Sequence, residues 1–289
     1  MVHSTAPPPA NRLSDLPSGS SGGPDLRDSY LAIQRMVAPE DLSVVFQPIV
    51  DLRNGSPFAH EALVRCRVET LRPPPVLFDR AVQLGCVGRL GRMIRETAMP
   101  LSSGLRLFVN LHPQELNESW VIRPDDPIFL HDSEVYLEIT ESAPLTHFDR
   151  CLVLLREMKS RGGIYLVVDD LGAGYSNLKT ISDLEPRVVK LDRDLVVGID
   201  RNPRQRQLVQ SVVRLCTDLG AQTVVEGIET VEELKAVRDT GADFGQGYLL
   251  ARPGYPIPEV TWPSALDGAD ERTRIGNAGT LIDPAPPRR

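Results

Sequence analysis

The chain has few cysteines, four in all, and Cys66, Cys86, Cys151 and Cys216 form no CxxC pair. That scatter excludes a cysteine zinc framework and a paired-thiol redox motif; buried free thiols in a reducing compartment are expected instead. The N-terminal MVHSTAPPPANRLSDLPSGSSGGP contains no apolar h-region, so no secretory signal is expected. No run approaches the ~18 uninterrupted apolar residues of a membrane span, and a cytoplasmic protein is the expectation. Basic charge is also short: 32 Lys and Arg stand against 39 Asp and Glu, a net charge of −7. Duplex nucleic-acid binders present a basic face, so that partner is not expected. An acidic chain can still take an anionic ligand where metal ions or local arginines neutralise it. The histidines, His3, His60, His112, His131 and His147, lack zinc spacing, and each reads as satisfied or exposed.

What is present is an ordinary globular composition, 41% hydrophobic and 25% charged over 289 residues. Residues 1–26 are rich in Pro, Ser and Gly and read as a disordered arm; residues 263–289 read as a flexible tail. Between them, 27–262 contains no comparable linker and reads as one domain. Eight extended runs occur there: SVVFQPIVDL, FAHEALVRC, LRLFVNL, VYLEIT, IYLVVDD, RVVKLD, TVVEGIE and FGQGYLL. Most intervals carry helical patterns. Leu208, Val212, Leu215 and Leu219 follow the 3–4 spacing of a helix face, with Gly220 as its stop. Thr146 with Asp149, and Thr230 with Glu233, read as capping boxes. Only RNGSP separates the first two runs, which predicts a hairpin and hence one antiparallel strand. Eight strands with helical crossovers over about 235 residues fit an α/β (β/α)8 barrel, with an open doubly wound sheet as the alternative. The dinucleotide version of that alternative is disfavoured, since GAGYSN lacks the third glycine of GxGxxG.

Polar residues stand in or at the ends of these runs: Glu61, Asn110, Glu138, Asp169, Asp170, Lys190, Glu226 and Gln246. In a barrel the carboxyl ends of the strands converge on one mouth. Five carboxylates and an amide are hard oxygen ligands, suited to Mg2+ or Mn2+. Each residue alone has a structural reading. Glu61 could be a solvated edge charge, Asn110 a cap, Glu138 an arginine partner, and Gln246 a backbone ligand; Lys190 could snorkel to solvent. The adjacent Asp169 and Asp170 are harder to dismiss. Neighbours on a strand point to opposite faces, although a strand's last residue can turn in with the loop so that both reach one site; two carboxylates ending a buried strand repel unless a cation compensates. Divalent metal would supply that compensation.

The motifs FQPIVDL, EALVR, FVNLHPQ, LEITES, VVDDLGAGYSNL, VVKLD, VVEGIET and QGYLLARP stand in the order of the EAL domain family. The chain resembles that family from roughly Val44 to Pro253. Its members are bacterial cyclic di-GMP phosphodiesterases that make pGpG, commonly as homodimers, on a modified TIM barrel with one antiparallel strand. The resemblance implies one ion held by Glu61, Asn110, Glu138 and Asp169, and a second by Asp169 as bridge with Asp170 and Glu226. It implies that Lys190 touches the attacking water, so that Lys190, Glu226, Glu61 and Asp169 form the catalytic group. Gln47, Leu63, Arg65, Asp192 and Gln246 would serve the substrate, and Glu141 and Glu229 the catalytic loop. Mg2+ or Mn2+ should support turnover and Ca2+ should inhibit it.

The chain also departs from the family pattern. The usual FGTGYSS loop reads LGAGYSN, with Leu171, Ala173 and Asn177; Cys66 replaces a Trp; RVETLRPPP is shorter than usual; and NVS becomes Asn110-Leu111-His112. Too few residues precede the barrel for a covalent sensor domain, so regulation is expected from a protein partner. Two rival readings remain beside the phosphodiesterase. One is a catalytically weak or idle cyclic di-GMP receptor acting through a partner, and the other is a protein-binding scaffold. The complete ligand set favours catalysis.

Overall fold

The computed structural model describes residues 26–117, 124–140, 155–158, 162–172 and 178–266, together with Val153 and Ser160. Eight strands close into a barrel in sequence order: β1 (Leu42–Asp51), β2 (Pro57–Cys66), β3 (Leu107–Asn110), β4 (Val135–Thr140), β5 (Ile164–Leu171), β6 (Val188–Leu191), β7 (Gln222–Val225) and β8 (Phe244–Gly245). β1 runs antiparallel to both β2 and β8, and the other pairings are parallel. The reversed strand is therefore the first arm of the RNGSP hairpin. Its turn is built from side-chain oxygens: Asp51 accepts from the Arg53 N–H at 2.8 Å, and Asn54 from the Ser56 N–H at 2.9 Å. Gly55 supplies the left-handed φ of +75° that this turn requires.

Helices lie outside the barrel: α1 (Leu26–Met36), α2 (Pro74–Gln83), α3 (Val87–Leu101), α4 (Leu178–Leu184), α5 (Pro203–Asp218) and α6 (Val231–Asp239). The capping box of α6 is present, since Thr230 Oγ1 accepts from the Glu233 N–H while Glu233 Oε2 accepts from the Thr230 N–H. The other candidate box, Thr146 with Asp149, lies outside the described residues. α5 is a helix ending before Gly220, whose φ is +80°. Its buried face, however, consists of Val209, Val213 and Cys216, while Leu208, Leu215 and Leu219 are exposed. Two apolar stripes at helical spacing run side by side on this helix, and periodicity alone favoured the outer one. Cys66, Cys86 and Cys216 are buried and outside any disulfide; Cys151 lies outside the described residues. Among the described residues, no helix is long and apolar enough to cross a membrane.

The barrel interior is layered. Ile49, Ala59, Phe108, Tyr136, Val167, Val188, Val224 and Phe244 form one buried apolar cluster, separate from the larger core under the helices. Phe108 stacks on Tyr136 at 4.5 Å between centroids, and Phe58 on Phe244 at 3.9 Å. Side chains two residues apart share a face of a strand. The next inward positions are therefore Glu61, Asn110, Glu138, Asp169, Lys190, Glu226 and Gln246. On the reversed β1 the same level is reached by counting back from Ile49 to Gln47. An apolar plug thus sits directly beneath a polar layer.

Candidate metal centre

Lys190 Nζ lies at the middle of the polar layer, 2.6 Å from Glu226 Oε1, 2.7 Å from Glu138 Oε1, 3.1 Å from Asp169 Oδ1 and 3.4 Å from Glu61 Oε2. Lys190 and Glu138 are each 1% exposed, so water screens this cluster little. Four carboxylates facing one ammonium leave a formal surplus of three negative charges. Proton affinity rises accordingly. Burial, then the neighbouring Glu61 carboxylate, hold Glu138 well above the usual carboxylate range, against the pull of Lys190. Burial foremost, opposed by Lys190 and reinforced by Asp169, takes Glu226 to about 8. Burial opposes the charge on Lys190, but Asp169, Glu138, Glu226 and Glu61 outweigh it and raise its pKa, so the ammonium form persists.

Amides fix the carboxylates in place. Asn110 Nδ2 donates to Glu138 Oε2 at 3.1 Å and, weakly, to Glu61 Oε1 at 3.5 Å. Gln246 Nε2 donates to Glu61 Oε2 at 2.7 Å and to Gln47 Oε1 at 3.0 Å, while Gln47 Nε2 donates to the Ala251 carbonyl. Gln246 reaches Glu61 because the chain turns sharply after it: Gly247 lies against the Ile228 backbone, where a Cβ would overlap.

The adjacent aspartates owe their placement to a break in β5. The β5–β6 register shifts between Val168 and Leu171, and Asp170 adopts a left-handed φ of +60°. This bulge abolishes the strict alternation that would send the two side chains apart. Asp169, Asp170 and Glu226 consequently present ligand oxygens all within 4.8 Å of one another. Burial, then the Asp169 charge, raises Asp170 to about 6.

This donor set fits a divalent cation. Glu138 Oε1, Asp169 Oδ1 and Gln246 Oε1 are buried without a hydrogen-bond partner. The first two face the Lys190 ammonium at 2.7 and 3.1 Å, one cation shared among four carboxylates. Buried carboxylate oxygens in that condition are costly, and a metal ion would satisfy them.

Two cavities flank the layer and share Leu63. One, about 280 Å³, is bordered by Gln47, Glu61, Glu226, Gln246 and Tyr248; the other, about 530 Å³, by Arg65, Phe78, Asp79, Asn110 and His112. Arg65 is exposed, and its Nη1 donates to the Val64 carbonyl at 2.9 Å. Asp192 caps the following 3-10 turn through the Asp194 N–H at 2.8 Å. Glu229 pairs with Arg193 at 3.0 Å on the surface. Glu141 and Ala173–Asn177 of the glycine loop lie outside the described residues. One histidine departs from the sequence reading. His60 is buried, neither exposed nor fully satisfied, for its Nδ1 has no partner. His112 stacks on Phe78 beside the larger cavity, a contact between distant segments that no local pattern announces.

Known proteins resemble this arrangement. A family model described as the EAL domain matches residues 31–253. The chain is 32% identical over 230 residues to the cyclic di-GMP phosphodiesterase RocR of Pseudomonas aeruginosa, covering 74% of this chain and 57% of that protein. It is 31% identical over 251 residues to a signalling protein of Caulobacter vibrioides, covering 81% and 30%. The chain spans about a third of the length of several such relatives. The Klebsiella pneumoniae protein BlrP1, solved with calcium and cyclic di-GMP, superposes with a TM-score of 0.68 at 29% identity, over 78% of this chain and 59% of that one.

Proposed function

The chain belongs to the EAL domain family, and from that premise we propose that it is a two-metal phosphodiesterase opening cyclic di-GMP to linear pGpG. The observation that carries the reading is the ring itself: Glu61, Glu138, Asp169 and Glu226 converge on Lys190 above the apolar plug, between two cavities that meet at Leu63. A ligand with two flat arms joined through phosphates matches that outline.

Glu61, Asn110, Glu138 and Asp169 would hold one Mg2+ or Mn2+ ion, and Asp169, Asp170 and Glu226 the second. When bound, two such ions would supply charge stabilisation for the entering and departing oxygens and make a nearby water more acidic. The chain's own groups do the rest. Lys190, kept as an ammonium, donates hydrogen bonds to the nucleophile and steadies its developing charge; it is no general base. Gln246 and Gln47 fix the Glu61 carboxylate, and Asn110 fixes Glu138. Leu63 floors both arms of the cleft, Arg65 faces a phosphate oxygen, and Asp192 stands at the substrate edge. Glu229 and Glu141 support the loop that follows Asp170. A homodimer and a regulatory protein partner are proposed alongside, in the reducing cytoplasm, with sedimentation velocity as the check on assembly.

Conversion of cyclic di-GMP to a linear product, resolved by chromatography with Mg2+ or Mn2+, tests the reading. The receptor alternative predicts binding without product.

A further inference from the structure

Arg95, Glu115 and Asp126 form a buried charged group that lies outside the polar layer. Arg95 Nη1 donates to Glu115 Oε2 at 2.8 Å, while its Nε and Nη2 donate to Asp126 Oδ1 and Oδ2 at 3.1 and 2.9 Å. A buried ion group of this kind stabilises a fold little more than well-packed apolar side chains would. What it supplies is a single geometry, because the planar guanidinium takes each carboxylate in a fixed orientation. Asp126 heads the turn Pro127–Phe129 and caps its Ile128 N–H. Glu115 holds a different segment. Its Oε1 accepts from the His112 N–H at 3.0 Å, and its own N–H donates to the His112 carbonyl at 2.8 Å, so this residue closes the turn that leaves β3. Asn110, the last residue of β3, needs such a hold. β3 pairs with β2 only as far as Val109, whereas its pairing with β4 continues through Asn110. Beyond it, the Leu111 N–H donates to the Glu138 carbonyl at 2.9 Å, and the His112–Glu115 closure follows at once.

We propose that Arg95 and Glu115 are positioning residues for the metal centre. Arg95 fixes Glu115, Glu115 fixes the His112 backbone, and that backbone sets where the Asn110 amide stands against Glu138 and Glu61. The inference rests on the phosphodiesterase reading, in which Asn110 is a metal ligand. Groups that orient metal ligands commonly carry about 10- to 100-fold of metal affinity. The two acids of the group make the role separable from plain support of the fold. Removing either one leaves Arg95 with a single carboxylate, a neutral pair, so neither loss strands a charge. Of the two, it is Glu115 that holds the turn beyond Asn110.

Calorimetric titration with Mn2+ alone, on wild type, Glu115→Leu and Asp126→Asn, tests the role, with turnover of cyclic di-GMP in Mn2+ followed in parallel. In Glu115→Leu one Mn2+ site should weaken about tenfold or more. In Asp126→Asn, Mn2+ affinity should stay within about twofold of wild type. Amide exchange on wild type needs no substitution. Coupling between the turn and the ion works in both directions, so Mg2+ should slow exchange across residues 111–115 about fivefold or more. Mn2+ affinity unchanged within about twofold in Glu115→Leu, or weakened equally in both variants, overturns the positioning role; product from wild type then leaves the phosphodiesterase reading standing. Should Glu115→Leu not fold, exchange that Mg2+ leaves unchanged overturns the role by itself. A site weakened in Glu115→Leu alone, with no product from wild type, supports the positioning role and overturns the phosphodiesterase reading. A wild type that binds no Mn2+ overturns both.

Discussion

Lys190 is the residue on which the centre turns, since its ammonium stands against four carboxylates at once. Lys190→Ala should lower kcat by about 100-fold or more while leaving cyclic di-GMP affinity nearly intact, because the lost interaction is made mainly with the developing nucleophile. Equal losses in affinity and kcat, measured by calorimetry beside steady-state kinetics, would contradict that role. The acids set the pH response. Asp170 and Glu226 are raised to about 6 and about 8, so between their unfolded values, near 4, and these folded values the folded chain binds more protons. Their contribution to stability is present at low pH and is lost as pH rises through that window. In chelator, the melting temperature should fall from pH 5 to pH 8, and added Mg2+ should shrink the fall by binding the ionised, folded form. A chelated protein whose melting temperature rises across that window would contradict this sign. The identities of these residues were legible from motif order, and a strand end turning into its loop allowed Asp169 and Asp170 to share one side, but the bulge that achieves it was not legible. Strand alternation separates neighbours, and nothing in the letters DD announces a bulge with a left-handed φ.

At the scale of elements, the polar layer follows from a count. Each apolar plug residue on the seven co-directional strands has its site counterpart two positions onward, from Ala59 to Glu61 through Phe244 to Gln246, and the reversed β1 pairs Ile49 with Gln47. That pattern was available in the sequence once strand direction was known. The face of α5 was less legible, because apolar residues occupy both stripes and only packing against the barrel chooses Val209, Val213 and Cys216. α3 carries a requirement of its own. Arg95 is fully buried between Glu115 and Asp126, at 2.8 and 2.9 Å, and so ties α3 to the turns that follow β3 and hence to the exit from Asn110. Gly91 makes room for this, for a Cβ there would overlap the Glu115 carboxylate. Gly91→Ala should therefore destabilise the chain by about 1–3 kcal/mol, despite alanine's better helix propensity. Urea unfolding measures it, and a neutral or stabilising result would show that the triad yields easily.

For the whole molecule, the alternation of strands and helices left a barrel and an open doubly wound sheet both standing, while RNGSP predicted the hairpin; the family resemblance chose the barrel with one reversed strand, and the structure shows both. The cavities were not legible, because each wall joins segments far apart in the chain. Phe78 and His112, for example, meet only once α2 and the turn after β3 are packed. An all-oxygen site open to two flanking cavities should also admit calcium, whose larger radius and looser geometry place water poorly. Ca2+ should permit cyclic di-GMP binding while suppressing turnover; turnover at the Mg2+ rate, in buffers freed of other metals, would contradict the expectation. The central claim is that the polar layer holds two divalent ions bridged by Asp169. Anomalous scattering from crystals loaded with Mn2+ and cyclic di-GMP measures this most directly. Two peaks roughly 3.5–4 Å apart, both touching Asp169, are the predicted result, with Asp169→Asn losing them. A single peak, or two that Asp169 does not join, would contradict it.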